Sequence, residues 1–402
     1  MEKYNQLFDV IVIGAGVMGS STAYQTARRG LKTLLLEQFD FLHPRGSSHG
    51  ESRTIRASYK KDYYCSMVLE SSRLWEEAEA EIGYKVYFKT SHLDMGPSDS
   101  QFLQAAIDSC QKNSIPARVI DRTQVFEEFS GKFQLPEGWI GMVTPQGGII
   151  KATKAVAMFQ TLGVQNGAVL KDNTEVVDIK KDQSTGEIVV FTRADEKIRA
   201  KKCVITVGAW TRKLIKTVRG ITLPIQPVEI AAYYWKINKG HEDKFTIENG
   251  FPTFGSHGDP HIYGTPSLEF PGLIKIPVDD GGACEPEERT WAAPQDLLDS
   301  LRECIRERFG GLVDSNGPVI TQSCMYSMTP DKDYVIDFLG GEFGEDAVVA
   351  GGFSGHGFKM APVVGRIAAE LVASGTAEGV DLTHFRIARF EGNLGGNDEF
   401  EL

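Results

Sequence analysis

With 402 residues, 41% of them hydrophobic and 24% charged, the chain is long enough for roughly two or three domains around a sizeable core, which excludes a disordered or fibrous protein. Its 43 Lys and Arg stand against 54 Asp and Glu, and the net charge of −11 excludes a general binder of nucleic-acid backbone while leaving room for a small basic pocket. No apolar run reaches the ~18 residues of a membrane span, and the 42 Gly follow no G-x-y period.

The chain opens on Phe8-Asp9-Val10-Ile11-Val12-Ile13, a β-branched apolar run that predicts a strand buried on both faces. Gly14-Ala15-Gly16 follows, and residues 17–29 carry Val17, Met18, Ala23, Tyr24 and Ala27 at helical spacing, with Gly30 closing the helix. Residues 31–36 predict a second buried strand, ended by Glu37. Strand, helix and strand within about 30 residues make a βαβ unit. Gly14-Ala15-Gly16-Val17-Met18-Gly19 is the G-x-G-x-x-G dinucleotide fingerprint in its required context, after a strand and opening a helix. Gly14 allows the tight turn, Gly16 the approach of the pyrophosphate, and Gly19 close helix packing. The helix N-terminus offers N–H groups to phosphate. Glu37 is placed to accept ribose hydroxyls and disfavours a 2′-phosphate. The fingerprint alone does not separate NAD from FAD.

Residues 41–58 are polar and rich in Gly and Ser, and residues 63–82 regain helical periodicity. Residues 85–95 read as a sheet edge entering another domain, with a crossing back at Val143-Thr144-Pro145 and Gly147-Gly148. Residues 201–207 predict a buried strand, and Pro224 and Pro227 mark a second crossing. Residues 229–276 are aromatic and β-branched, as in an antiparallel sheet. Residues 347–350 predict another buried strand, which runs into Gly351-Gly352-Phe353-Ser354-Gly355-His356-Gly357-Phe358-Lys359 and a helix over 361–374. The expected fold is therefore α/β (α+β), a Rossmann-like nucleotide-binding domain interleaved with a β-sheet-rich catalytic domain. Residues 1–82, 148–222 and 321–391 are assigned to the first, 83–147 and 223–320 to the second, and 392–402 to a mobile tail.

The six Cys form no CxxC pair, so no metal site is expected. The start of the chain lacks the pattern of a secretory signal, and Phe400-Glu401-Leu402 does not match the Ser-Lys-Leu peroxisomal address. An intracellular compartment is expected, cytoplasm ahead of peroxisome.

Beyond the fingerprint, three motifs recur in order: Ser48-His49-Gly50-Glu51-Ser52-Arg53-Thr54-Ile55-Arg56, Ser323-Cys324-Met325-Tyr326-Ser327-Met328-Thr329-Pro330-Asp331, and Phe353-Ser354-Gly355-His356-Gly357-Phe358-Lys359. Together they resemble the monomeric sarcosine oxidase, N-methyltryptophan oxidase and L-pipecolate oxidase family of D-amino-acid-oxidase-like flavoproteins, in a plant-type member, over nearly the whole chain. The resemblance implies FAD, oxidation of a small secondary amine, O2 as acceptor, and a monomer, with neither nucleic acid nor membrane as partner. It implies a thioether from Cys324 to the flavin. It places His49 and Arg53 beside the flavin, where a cation would stabilise charge on the reduced ring.

Arg56 and Lys359 match the pair holding the substrate carboxylate, a planar fork plus a point charge. Gly355 and Gly357 let backbone N–H groups approach the flavin. Lys275 matches the lysine at which O2 is activated, and Tyr263 falls near an active-site tyrosine. Four residues after that lysine the family places a His, where this chain has Asp279. A carboxylate facing the flavin would repel an acidic substrate and attract an ammonium; facing solvent beside Asp280, it would be one residue of an exposed turn. An NAD-dependent dehydrogenase leaves the Cys324 and Gly355–Lys359 motifs unexplained. A non-catalytic flavin-binding protein finds its support in Asp279.

Overall fold

The computed structural model describes residues 7–292 and 295–397. Phe8–Ile13 lies in the middle of an eight-stranded sheet, parallel to Thr33–Leu36 on one side and to Lys197–Ile205 on the other. Val10, Ile11 and Val12 are essentially inaccessible, as a strand covered on both faces requires. Beyond Thr33–Leu36 comes Val169–Lys171; beyond Lys197–Ile205 come Ala347–Gly351 and Val335–Phe338. The hairpin of Val176–Lys181 and Ile188–Thr192 joins Lys197–Ile205 antiparallel.

Three helices, Val17–Arg28, Ala152–Gln165 and Ala361–Ser374, cover one face, with Tyr63–Ile82 packed behind them. Thr211–Arg219 and the hairpin close the other. The fit of Ala361–Ser374 on Val17–Arg28 depends on Gly365, where a Cβ would stand 2.3 Å from Ser21 Oγ and 2.8 Å from the Ser21 carbonyl carbon.

Two further sheets form the opposite side. One, six-stranded, orders Ile262–Gly264, Thr253–Ser256, Tyr87–Pro97, Trp139–Ile150 and Arg53–Arg56, with Arg118–Asp121 also on Trp139–Ile150. In the other, Leu273–Lys275, Gly282–Ala283 and Ile320–Met328 all pair antiparallel with Gln226–Lys236.

The expected sheet edge over 85–95 is instead the interior strand Tyr87–Pro97, paired on both sides. The expected crossing at Pro145, Gly147 and Gly148 is one continuous strand, Trp139–Ile150. Its glycines serve close approach rather than a turn: a Cβ on Gly147 would lie 2.8 Å from the Ser91 carbonyl carbon, and one on Gly148 2.5 Å from Phe88 O, where the ladder shifts register between Thr90 and His92. The aromatic region 229–276 divides between both sheets, and Thr253–Ser256 runs parallel to Tyr87–Pro97. Arg53–Arg56 and Ile320–Met328 hydrogen-bond in these sheets and not in the nucleotide-side sheet. The polar loop 41–52 is long enough to carry the chain across.

The described part of the expected tail is tied down. Asn397 N–H donates to Asp331 Oδ2 at 2.9 Å and its side-chain amide to Asp333 Oδ2 at 2.8 Å. Residues 398–402, including Phe400-Glu401-Leu402, lie outside the described residues.

Gly365→Ala is expected to cost about 1–3 kcal/mol by forcing the two helices apart. Gly282→Ala, with nothing within 4 Å of the added methyl, should be near neutral. Urea midpoints of the two variants compare them; equal midpoints would remove the close-packing account.

Candidate active site

The nucleotide end is built by backbone. Gly14 has φ +95 and donates its N–H to Leu36 O at 2.7 Å. A Cβ on Gly19 would stand 1.8 Å from Gly14 O, so the helix sits directly on the turn. Glu37, 5% exposed, braces this turn: Oε2 accepts from Ala15 N–H at 2.8 Å, and Oε1 accepts from Phe39 N–H at 3.1 Å and pairs with His43 at 3.3 Å. Glu37 also lines the cavity, where its remaining lone pairs are open to a ribose. Ser48 Oγ accepts from Val17 N–H at 3.0 Å and stands where a Cβ on Gly16 would crowd it. The loop carrying the second motif is thereby pinned to the turn of the first.

From this cradle a cavity of about 790 Å³ runs past Arg53, Cys324 and Lys275 to Arg56, Tyr59, Tyr263, Asp279 and Lys359. Its dimensions suit a bound cofactor with a small substrate beyond it. Each sheet contributes. Arg53 and Arg56 stand at the two ends of one four-residue strand, and both line the cavity. Arg53 donates to the carbonyls of Ser47 (3.1 Å), His49 (2.7 Å) and Ser52 (2.7 Å), and lies 3.7 Å from Cys324 Sγ. Cys324 is a buried free thiol on Ile320–Met328.

Lys275 is 4% exposed, because its neighbours Ile274 and Ile276 enter the apolar core of the opposite face and turn it toward the cavity. Its Nζ donates to Ser52 O at 2.9 Å. Burial first, and Arg53 second, push its ammonium down to about 7. Lys359, 7% exposed, behaves alike: burial and then Arg56 push it down to about 7, and its Nζ reaches only a carbonyl, that of His356, at 3.3 Å. Arg56 stacks on Tyr59 at 4.6 Å and keeps Nη1 buried without a hydrogen-bond partner. Neither Arg56 nor Lys359 forms an ion pair among the described residues. Half-buried Arg56 and buried Lys359 thus stand together by Tyr59, with Asp279 the only carboxylate among the described residues acting on Lys359 through space, an arrangement that can take up an anion. Gly355, at φ +77, lies so close to the Tyr326 ring that a Cβ would be 2.9 Å from it, and Gly357 packs as tightly on Phe353.

His49 departs from expectation. It does not line the cavity, its Nε2 is buried without a partner, and burial followed by Arg53 and Arg289 pushes it down to about 4. It is neutral at pH 7 and supplies no cation; its contribution is the carbonyl that holds Arg53. Tyr263 does line the cavity, with its hydroxyl 3.2 Å from that of Tyr326. Asp279 faces the cavity from its turn, accepting from Tyr326 OH at 3.0 Å and standing 3.5 Å from His261 Nδ1.

The sequence reading missed a polar cluster on the same cavity. Asp94, 1% exposed, accepts from Ser58 OH at 2.5 Å, pairs with His257 Nε2 at 2.8 Å, and has His92 Nε2 at 3.3 Å. Burial alone would raise its carboxyl, but His92 and His257 hold it well below the ordinary range. His92 and Asp94, alternating with Leu93 and Met95, were the available signal: two polar residues on one face of a buried strand. His257 and His261 lie on a loop far along the chain and gave none.

A profile of the FAD dependent oxidoreductase family matches residues 9–371. The probable sarcosine oxidase of Arabidopsis thaliana is 60% identical over 97% of this chain and 94% of its own. The peroxisomal sarcosine oxidase of Homo sapiens is 35% identical over 97% of this chain and 98% of its own. In fold, the chain is similar to the open form of NikD, an unusual amino acid oxidase essential for nikkomycin biosynthesis, with a TM-score of 0.82 and 24% identity over 95% of this chain and 98% of that one.

The buried lysines set a pH dependence. Because Lys275 and Lys359 titrate near 7 when folded and near 10.5 when unfolded, the unfolded chain takes up protons first as pH falls, and stability drops from about pH 10.5 down to about 7. Lys275→Met or Lys359→Met in the cofactor-free protein should therefore raise stability at pH 7 by about 2–4 kcal/mol, with the gain gone above pH ~10.5. Thermal melts across that range check it; lowered melting at pH 7 would contradict the desolvation account.

Proposed function

The chain belongs to the FAD dependent oxidoreductase family, in the branch that holds the sarcosine oxidases, and we propose that it oxidises the C–N bond of a secondary amino acid (sarcosine, pipecolate or a related N-methyl or cyclic amine) to an imine, with O2 reduced to H2O2. The observation that carries this reading is the pair Arg56 and Lys359, half-buried and buried, both beside the Tyr59 ring and neither in an ion pair among the described residues, in the cavity that begins at the glycine cradle. Family membership makes the dinucleotide FAD and sets aside the NAD-dependent reading of the fingerprint.

Bound flavin supplies an acceptor for the two electrons of the C–H bond next to nitrogen. Gly14, Gly16, Gly19 and Glu37 would hold its nucleotide end, and Gly355 and Gly357, packed on Tyr326 and Phe353, line the same cavity farther on. Arg56 and Lys359 grip the substrate carboxylate and fix the α-carbon. Their field also favours the neutral amine, the form with an available lone pair. Arg53 would supply positive charge beside the bound flavin, and Lys275 would place a cation where O2 could be reduced. No protein base at the α-carbon is required. Cys324 Sγ, beside Arg53, is the attachment point for a covalent flavin.

Two measurements test the reading. Arg56→Met should raise KM for carboxylate-bearing amines by roughly 10–100-fold while changing flavin re-oxidation little; an unchanged KM would remove the clamp. After acid precipitation, flavin should stay in the pellet of the intact protein and pass to the supernatant for Cys324→Ser. Flavin in both supernatants would show that Cys324 carries no tether.

A further inference from the structure

The cavity that holds Arg56 and Lys359 is also lined by acceptors. Asp279 keeps 39% of its side chain open, and His261 keeps 40%. Tyr326 OH occupies one position on Asp279 Oδ1, leaving the rest of the carboxylate available. His261 lies 4.8 Å from His257 with its ring tilted by 33°, and His257 stacks 3.9 Å from the Phe102 ring and is bonded to buried Asp94. These contacts fix His257, and His261 packs against it. Burial, then His257, push His261 down to about 4, so its ring is neutral. With Nδ1–H directed at Asp279, its Nε2 is a further acceptor. Deeper in the same cavity, His92 is 1% exposed, with Nε2 3.3 Å from Asp94 and Nδ1 2.9 Å from Thr253 Oγ1. Phe102 links this cluster to Arg56, since it also lies 5.9 Å from the guanidinium.

Beside the cationic donors Arg56 and Lys359, the substrate space thus also offers a carboxylate and a neutral imidazole. We propose that Asp279 and His261 form a side-chain subsite that selects secondary amino acids whose side chain ends in a donor, an ammonium above all, over those with an apolar side chain. This rests on the amine-oxidase reading and deepens it. A carboxylate held by Arg56 and Lys359 leaves the side chain free to reach Asp279 and His261, which line the same cavity. There an apolar terminus would strip water from Asp279 and return nothing, whereas an ammonium would pair with it. Because both groups are half-open, the pair is screened and the preference moderate.

The holoenzyme is tested with N-methyl-L-lysine and N-methyl-L-norleucine, of similar length and differing in the terminal ammonium, with N-methylglycine as a reference lacking a side chain. Turnover is followed by H2O2 release, and binding separately by the rise in melting temperature under anaerobic conditions. The lysine derivative should exceed the norleucine derivative by about 3–10-fold in kcat/KM and give the larger melting shift. The ratio should shrink in high salt with the unmodified protein, and fall to about one or below in Asp279→Asn. Equal or reversed preference in both readouts, or a ratio indifferent to salt, overturns the subsite. Oxidation of none of the three amines, with the lysine derivative still giving the larger shift, overturns the oxidase reading and supports the subsite.

Discussion

A lysine ammonium taken out of water loses hydration that only an anion or several hydrogen bonds can replace. This chain buries Lys275 and Lys359 around one cavity with carbonyl oxygens as their nearest acceptors, and sets the Arg56 guanidinium among aromatic rings beside them. The surrounding fold supplies the stability that these groups withhold. Two apolar clusters form under the nucleotide-side sheet and its helices, and a third under the other sheets, which pins Lys275 through Ile274 and Ile276. A site assembled at such a cost is preorganised: its cations do not need to move or shed water when an acidic ligand enters.

That preorganisation requires three sheets to converge. Arg53 and Arg56 come from one strand of the six-stranded sheet, and Lys275 and Cys324 from two strands that both pair with Gln226–Lys236. Lys359 stands at the start of the helix that packs on Val17–Arg28, over the nucleotide-side sheet. Arg53 links these pieces, binding three carbonyls of its own loop while approaching the Cys324 sulfur. The loop itself is pinned to the nucleotide turn by Ser48. Charge placement and cofactor placement are therefore one mechanical problem, solved by one short segment, 46–56.

The same cavity also carries the other sign. Asp94 is kept ionised by its two histidines although fully enclosed, and Asp279 is half-open. Asp279 is the residue at which the chain departs from the family pattern: its turn is exposed, as its sequence suggests, and it still lines the cavity.

The nucleotide half was legible in the sequence because its signals are local. A buried strand, a glycine turn, a helix and a closing acid follow one another within about 30 residues, and the observed bounds Phe8–Ile13, Tyr63–Ile82 and Ala361–Ser374 agree with the periodicity. The ordered motifs likewise marked the cationic residues. Whether His49 would be charged, whether Tyr87–Pro97 would be an edge, and where Asp279 would face depended on residues distant in sequence: Arg53 and Arg289 beside His49, Thr253–Ser256 on the free side of the strand, His261 and Tyr326 around Asp279. Local pattern determines which backbone each segment prefers. Only tertiary packing decides which charges share a low-dielectric cavity, because burial and neighbouring charge act through space and not along the chain.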